Sequence, residues 1–238
     1  MANSESESRA EILADYYKKY YHLTLYGNSC QSLGTRYFDF ILERAWKNKT
    51  SRPRKLLEIG FASGEHVSKV QSFPSEKYVG LDINQPATDR FIQSLPDEQR
   101  QKISFVQSDA ADMPFEDNYF DRVVSTCLLH HVQDPLKVLR EVRRVTEGNG
   151  EIAIGVPCDP GILNRLVKSV ITYPGMRRLG VERPKFIYAL EHPNQVGGLV
   201  EIAKFVFQND ELGIKYAPFG FKSWNANLML VLHVIVAK

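Results

Sequence analysis

From residue 55 onward the chain alternates between two hydrophobic rhythms. Short apolar runs (KLLEI at 55–59, YVGLDI at 78–83, ISFVQ at 103–107, RVVST at 122–126, EIAIGV at 151–156) are separated by stretches with helical or irregular patterning. Runs this short, rich in Val, Ile and Leu, read as strands buried on both faces, and their alternation with helices predicts a parallel sheet covered on both sides. The clearest helical pattern is 135–146, where Leu136, Leu139, Val142 and Val145 are apolar and Pro135 stands at the start. Gly148-Asn149-Gly150 then turns the chain into the fifth strand. Two β-rich segments, 213–219 and 228–237, suit an antiparallel hairpin on the sheet edge.

Upstream of the first strand the pattern predicts two helices, 11–26 and 33–47, with Gly27 and Asn28 between them and Pro53 in the connector to the sheet. The first carries tyrosines at 16, 17, 20 and 21, so the pairs 16/20 and 17/21 line adjoining helix faces. These rings either pack the helix onto the body of the protein or form a lid over a ligand cleft. In the second case Tyr16, Tyr20 and Tyr21 would touch substrate. Residues 65–70 can continue from the first strand's turn as a helix. Residues 157–210 interrupt the alternation with helices and turns punctuated by Pro160-Gly161, Pro174-Gly175 and Gly197-Gly198. The expected organisation is one structural domain: a tail and helical cap over 1–50, then the sheet domain over 51–238, with 157–210 as a substrate-side insertion.

Composition narrows the class. The 238 residues suffice for one large domain with a sizeable core, and 43% hydrophobic with 24% charged residues is an ordinary globular balance. A net charge of +2 gives no global footprint for nucleic acid. Cys30, Cys127 and Cys158 are widely spaced, with no Cys-x-x-Cys pair, so reduced thiols in a cytoplasmic protein and no metal site are expected. The Ser/Glu-rich start has no apolar core to act as a signal peptide or anchor, and no run reaches spanning length. Charge matters locally in the insertion, where Arg165, Lys168, Arg177, Arg178, Arg183 and Lys185 face one acid, Glu182. A solvated face, an anionic substrate or an acidic membrane surface would each account for that bias.

Candidate chemistry gathers at the strand ends. The run LLEIGFASG at 56–64 is a buried strand entering a glycine-bounded turn. Glycine there reaches positive φ and lets backbone approach a ligand, although a tight strand-to-helix connection would look the same. Asp82 ends the second strand twenty-two positions after Gly60. A carboxylate there accepts hydrogen bonds from a ribose diol, or caps the following helix. Asp109 ends the third strand, and ligands of open α/β sheets bind outside the carboxyl ends, so Glu58, Asp82 and Asp109 would converge on one crevice. After the fourth strand, Cys127-Leu128-Leu129-His130-His131 brings two histidines to the same rim.

Together these segments resemble the class I S-adenosylmethionine-dependent methyltransferases, particularly their type 11 branch. The likeness spans about 54–156 and rests on LLEIGFASG, GLDI, QSDAADMPFEDNYFDRVVS, LLHHVQDP and VLREVRRVTEGNGEIAI. The resemblance implies a Rossmann-like, mostly parallel seven-stranded sheet in order 3-2-1-4-5-7-6 with an antiparallel seventh strand. It implies that Glu58 and Gly60 lie by the amino-acid part of S-adenosylmethionine, that Asp82 binds its ribose, that Asp109 with Ala110 faces the adenine, and that Phe61, Gly64, Ile83 and Cys127 also belong to the cofactor site. The demethylated product would be S-adenosylhomocysteine. A cationic cofactor suits this acidic rim, whereas a phosphate ligand would not. Where the family often has glycine, this chain has Ala62.

Such a reaction is an in-line displacement in which the enzyme chiefly aligns the partners. For a hydroxyl acceptor a base helps, and His130, His131 and His192 are the candidates, each alternatively structural. The expected acceptor is an oxygen or nitrogen of a small molecule, anionic or sugar-containing, in a biosynthetic transferase acting as monomer or homodimer, with peripheral membrane contact left open. A NAD(P)-dependent reductase shares the strand, turn and acid, but the full Gly-x-Gly-x-x-Gly and a Tyr-x-x-x-Lys pair are missing. A non-catalytic cofactor-binding module is the other alternative. Nucleic-acid base methylation is disfavoured because Ser125-Thr126-Cys127-Leu128 replaces the (Asp/Asn)-Pro-Pro-(Tyr/Phe) run of such amine methylases.

Overall fold

The computed structural model describes residues 8–21, 33–46, 52–62, 64, 66–70, 72–84, 93 and 95–238. Its strands are β1 (Lys55–Ile59), β2 (Lys77–Asp82), β3 (Ile103–Gln107), β4 (Phe120–Ser125), β5 (Thr146–Pro157), β6 (Glu211–Ala217) and β7 (Met229–Ile235). They form one sheet in order β3-β2-β1-β4-β5-β7-β6. The pairs from β3 through β5 are parallel, and β7 runs antiparallel between β5 and β6. This is the order that the resemblance implied.

The helices are α1 (Arg9–Tyr16), α2 (Leu33–Glu43), α3 (Asp97–Arg100), α4 (Pro135–Val145), α5 (Ile162–Val167), α6 (Tyr173–Arg178), α7 (Pro184–Glu191) and α8 (Val196–Val206). A wider π-type turn, Tyr17–Tyr21, extends α1, and another, Lys168–Thr172, joins α5 to α6. The two-residue period of the strands divides the core between the sheet faces. Leu57, Val79, Val123, Ile152, Leu230 and Leu232 point to one side and meet α4 and α8. Their sequence neighbours Leu56, Tyr78, Val124, Ala153 and Val231 point to the other and meet Leu42, Ala45 and Trp46 from α2 and its exit. α4 shows why the sequence pattern was so legible. Asp134 accepts from the Lys137 backbone N–H as N-cap and Pro135 occupies the first turn. Val138, Leu139, Val142 and Val145 are buried, each worth about 1.5–3 kcal/mol of burial free energy.

Four sequence expectations change. The helix expected over 65–70 is a four-residue 3-10 turn, His66–Lys69, because His66 and Val67 are drawn into the core. The α-helix of the N-terminal segment ends at Tyr16, with residues 22–26 lying outside the described part, as do Gly27 and Asn28. β5 begins at Thr146 rather than after Gly150, and Asn149 adopts φ 64° to carry the chain through the irregular start of that strand. Finally, the last part of the expected insertion is a core helix: Val196, Leu199, Val200 and Ala203 of α8 belong to the main core beside α4.

Candidate active site

The crevice at the carboxyl ends of β1, β2 and β3 is built first from the glycine turn. Gly60 and Gly64 have φ of 76° and 73°, the left-handed region that glycine enters without a Cβ penalty. At Gly64 the space is also occupied: a Cβ would lie 2.5 Å from Cζ of Phe61. Ala62 stands between them at φ 45°, a conformation costing an L-residue about 1–2 kcal/mol. Asp82 answers that cost, since its Oδ2 accepts from the Ala62 backbone N–H at 2.9 Å and its Oδ1 from that of Asn84 at 2.9 Å. The carboxylate thus ties the β1 turn to the β2 tip. A carboxylate has about four acceptor sites, so each oxygen retains capacity for a ribose hydroxyl.

Beside it Ile83 is 63% exposed, an apolar surface at the strand tip. Ala110 is buried, and Asp109 closes a turn by accepting from Ala111 N–H at 2.8 Å. This loop is held from α4. Arg144 donates to the carbonyls of Met113 and Phe115 at 3.0 and 2.7 Å and pairs with Asp117 and Glu141, while Glu141 accepts from Met113 N–H. The crevice therefore offers a diol-binding carboxylate, an apolar platform and bare backbone, a donor and acceptor set that fits an adenosyl group.

Two residues expected to face the cofactor lie beneath the crevice. Phe61 is 2% exposed and packs on Phe105 and Tyr78, so only its backbone reaches the turn surface. Glu58 is buried, accepts from the Tyr78 hydroxyl at 2.5 Å, and faces a polar cluster that sequence patterning did not reveal. In that cluster His66 Nδ1 stands 3.3 Å from Asp39, and Nε2 stands 3.2 Å from Glu43 at ion-pair range. Lys69 pairs with Asp39 at 2.6 Å, and the Trp46 indole donates to Glu43. Burial pushes the Glu58 carboxyl up to about 7 against the pull of His66 and the Tyr78 bond. Burial disfavours the His66 imidazolium, but Asp39, Glu43 and Glu58 outweigh it and raise the group to about 10. A buried cation thus underpins the first strand's acidic residue. The signal in sequence was Asp39, Glu43 and His66, polar residues on otherwise apolar faces.

The rim after β4 joins the crevice through Leu128, whose Cβ comes within 3.4 Å of the position a Gly60 Cβ would take. The Cys127 thiol is only partly exposed, and burial pushes it up to about 12, so it stays neutral. His130 and His131 follow, and His192 arrives from the C-terminus of α7. Their ring centroids are 4.0–4.7 Å apart, and Tyr188 stacks on His192 at 3.8 Å. The His131 and His192 Nδ1 atoms donate to the carbonyls of Glu191 and Tyr188, both at 2.9 Å, which leaves each Nε2 with its lone pair. His130 Nδ1 is buried without a hydrogen-bond partner among the described residues. Burial, reinforced by the neighbouring imidazoles, lowers His130 and takes His192 down to about 3; burial also lowers His131.

The three rings are neutral at physiological pH. Their nitrogens lie within 4.8 Å of one another, the spacing of a ligand set, yet the His130 and His192 rings are parallel to within 2°. A cation lying in both ring planes would require one of them to turn. Asn194, which sequence reasoning passed over, staples the two segments: its side-chain amide donates to the carbonyls of Leu129 and Val132 at 3.0 and 2.6 Å.

The tyrosines of α1 take the packing alternative. Tyr16 is buried among Met176, Val181 and Ile187 and packs at 5.8 Å, tilted, against Tyr20, and Tyr20 donates to the Gly180 carbonyl. They anchor α1 to α6 and α7 of the insertion. The Tyr21 side chain lies outside the described residues.

Comparison with known proteins gives the family. Residues 57–154 match the methyltransferase domain family. The chain is 30% identical over 185 residues, 69% of its length and 71% of the relative's, to a ubiquinone/menaquinone biosynthesis C-methyltransferase of Vibrio cholerae. It is 34% identical over 108 residues to the ajmaline N-methyltransferase of Rauvolfia serpentina, covering 43% of this chain and 36% of that one. In fold it resembles the N-methyltransferase NodS of Bradyrhizobium japonicum, crystallised with S-adenosylhomocysteine, with a TM-score of 0.61 at 14% identity over 98% of this chain and 100% of the other. The reductase and non-catalytic alternatives are thereby set aside, and S-adenosylmethionine is the cofactor. The chain belongs to the class I S-adenosylmethionine-dependent methyltransferases.

Proposed function

We propose that the protein methylates an oxygen or nitrogen of a small anionic acceptor, sugar-containing compounds included. Asp82 would hold the ribose, Ile83 and Ala110 the adenine side, and the turn from Gly60 to Gly64 the amino-acid end. Bound there, the cofactor supplies an electrophilic methyl on a sulfonium. The observation that carries the acceptor class is the pairing of the histidine group with the cations beside it. Lys168 lies 4.4 Å over the Tyr188 ring and is paired with Asp159 at 2.5 Å, and Tyr188 in turn stacks on His192. Arg165 and Lys185 line the same recess as Lys168. A negative group on the acceptor would sit against these cations while its hydroxyl or amine donates to a histidine Nε2. With the imidazoles already neutral, the lone pair is available across the working pH range, and its role is to orient the nucleophile and receive its proton.

Some relatives act on quinones or alkaloids, which supports a small acceptor and leaves its chemistry to be tested. Calorimetry with S-adenosylmethionine should give binding that Asp82→Ala weakens by about tenfold to a hundredfold, the loss of one or two hydrogen bonds to a charged group. Turnover should then be screened over phosphorylated, carboxylated and neutral hydroxyl and amine acceptors. Methylation confined to neutral or carbon acceptors would overturn the reading, while absence of cofactor binding would overturn the cofactor assignments.

A further inference from the structure

Among the large apolar side chains that are exposed, Ile162, Leu166, Val170, Ile171, Phe186, Phe219, Phe221 and Trp224 come from three adjoining pieces of chain. Ile162, Leu166 and Val170 follow at four-residue steps along α5 and the wide turn after it, so they form a stripe on one helical face. The loop between β6 and β7 continues the stripe. Leu163 N–H donates to the Asn225 carbonyl, the Asn164 amide donates to the Leu228 carbonyl, and Phe219 stacks on Phe221 at 6.0 Å. Soluble surfaces scatter such residues singly, whereas a contiguous apolar band bordered by charge marks a docking surface.

The border is cationic. Arg165, Arg177, Arg178, Arg183, Lys185 and Lys222 are exposed, and none is in a salt bridge with a carboxylate among the described residues; Glu182 is the one exposed acid in the stretch 160–190. Beside the stripe, Arg165, Lys168, Ser169, Tyr173 and Lys185 line a recess of about 180 Å³. Apolar and aromatic side chains next to unpaired cations are the composition of an interfacial element that lies in the headgroup layer, and no helix among the described residues is long and apolar enough to cross a membrane.

We propose that this face docks on an anionic lipid bilayer, with the stripe and the Phe219, Phe221 and Trp224 loop entering the acyl boundary and the exposed cations of the same stretch meeting lipid phosphates. Charge complementarity selects that occupant: an apolar protein partner would account for the stripe but not for the exposed cations of the same stretch that have no carboxylate partner among the described residues. The surface leads, through Lys168 and Tyr188, to the histidine group, so an amphiphilic acceptor held in the bilayer would present its polar end to the site. The docking itself does not depend on the methyl acceptor proposed above.

Co-sedimentation of the full chain with vesicles of phosphatidylcholine alone, and of phosphatidylcholine mixed with phosphatidylglycerol, tests it. The protein should partition onto the anionic vesicles, weakly or not at all onto the neutral ones, and less at high salt. Arg177→Gln with Arg178→Gln should lower the partition coefficient by about thirtyfold, and Leu166→Ser with Val170→Ser by about tenfold or more. Both double variants should bind S-adenosylmethionine as the parent does, which establishes that they are folded. Equal binding to neutral vesicles, no binding to either, or saturation of the recess by soluble glycerol phosphate with the protein remaining in the supernatant would overturn the proposal. So would a stable dimer, seen by light scattering, that Leu166→Ser dissociates.

Discussion

Replacing His66 by Gln removes the buried imidazolium that faces Glu43 and Glu58 beneath the glycine turn, and the structure says how much that should cost and at which pH. In the folded protein the imidazolium is raised from 6.5 to about 10 by Asp39, Glu43 and Glu58 in spite of its burial. A raised folded-state value stabilises fully below about 6.5 and loses that stability as pH climbs toward about 10. The gap corresponds to at most about 5 kcal/mol. Breaking a buried pair by deleting one partner costs about 3–5 kcal/mol, because the remaining charges stay buried. Asp39 keeps Lys69 at 2.6 Å, so the damage falls on Glu43 and on Glu58, already raised to about 7. Without the cation the buried Glu58 carboxyl loses the charge that opposes its desolvation.

Urea unfolding followed by circular dichroism should therefore show His66→Gln less stable than the parent by about 3–5 kcal/mol near pH 5 and by roughly half to two-thirds of that near pH 8, where the parent has already lost part of the imidazolium's contribution. The parent itself should lose stability between about pH 6.5 and 10. A loss that is equal or larger near pH 8, or one below about 1 kcal/mol near pH 5, would mean that the cluster is not held by a buried imidazolium.

Two further substitutions probe the crevice. Gly64→Ala places a methyl 2.5 Å from the Phe61 ring at φ 73°, so it should destabilise by about 2–5 kcal/mol and weaken cofactor binding, both read from one thermal titration with and without S-adenosylmethionine. Adding Phe61→Leu should recover part of the stability, and no recovery would point to backbone strain alone. Arg144→Met releases the carbonyls of Met113 and Phe115; hydrogen exchange should rise across 109–117 and the protein should lose about 2–4 kcal/mol, with β6 and β7 unaffected in protection.

The strand–helix alternation was legible because buried parallel strands leave a clear record in five short apolar runs, whereas the sheet order came from the family resemblance. α4 was equally legible from its cap, proline and apolar spacing. The 3-10 turn at His66–Lys69 was not, since a four-residue turn held by contacts to α2 carries no periodic signal of its own. Likewise nothing in the spacing of Tyr16 and Tyr20 distinguishes a ring that lines a cleft from one that covers Met176, Val181 and Ile187.

What the amino-acid sequence determined by itself, then, was the strand–turn–helix frame and the acids at its strand tips, because local periodicity and glycine placement specify those within a few residues. The glycine turn, Asp82 and Asp109 belong to that class. Tertiary structure decided which side chains share a space: it buried Glu58 against Tyr78 and the His66 cluster, turned Phe61 into the core, and brought His192 across some sixty residues of chain to stack near His130 and His131. Such meetings depend on how the insertion folds back over the β4 rim, pinned by Asn194, and that closure depends on hydrogen bonds between segments far apart in sequence.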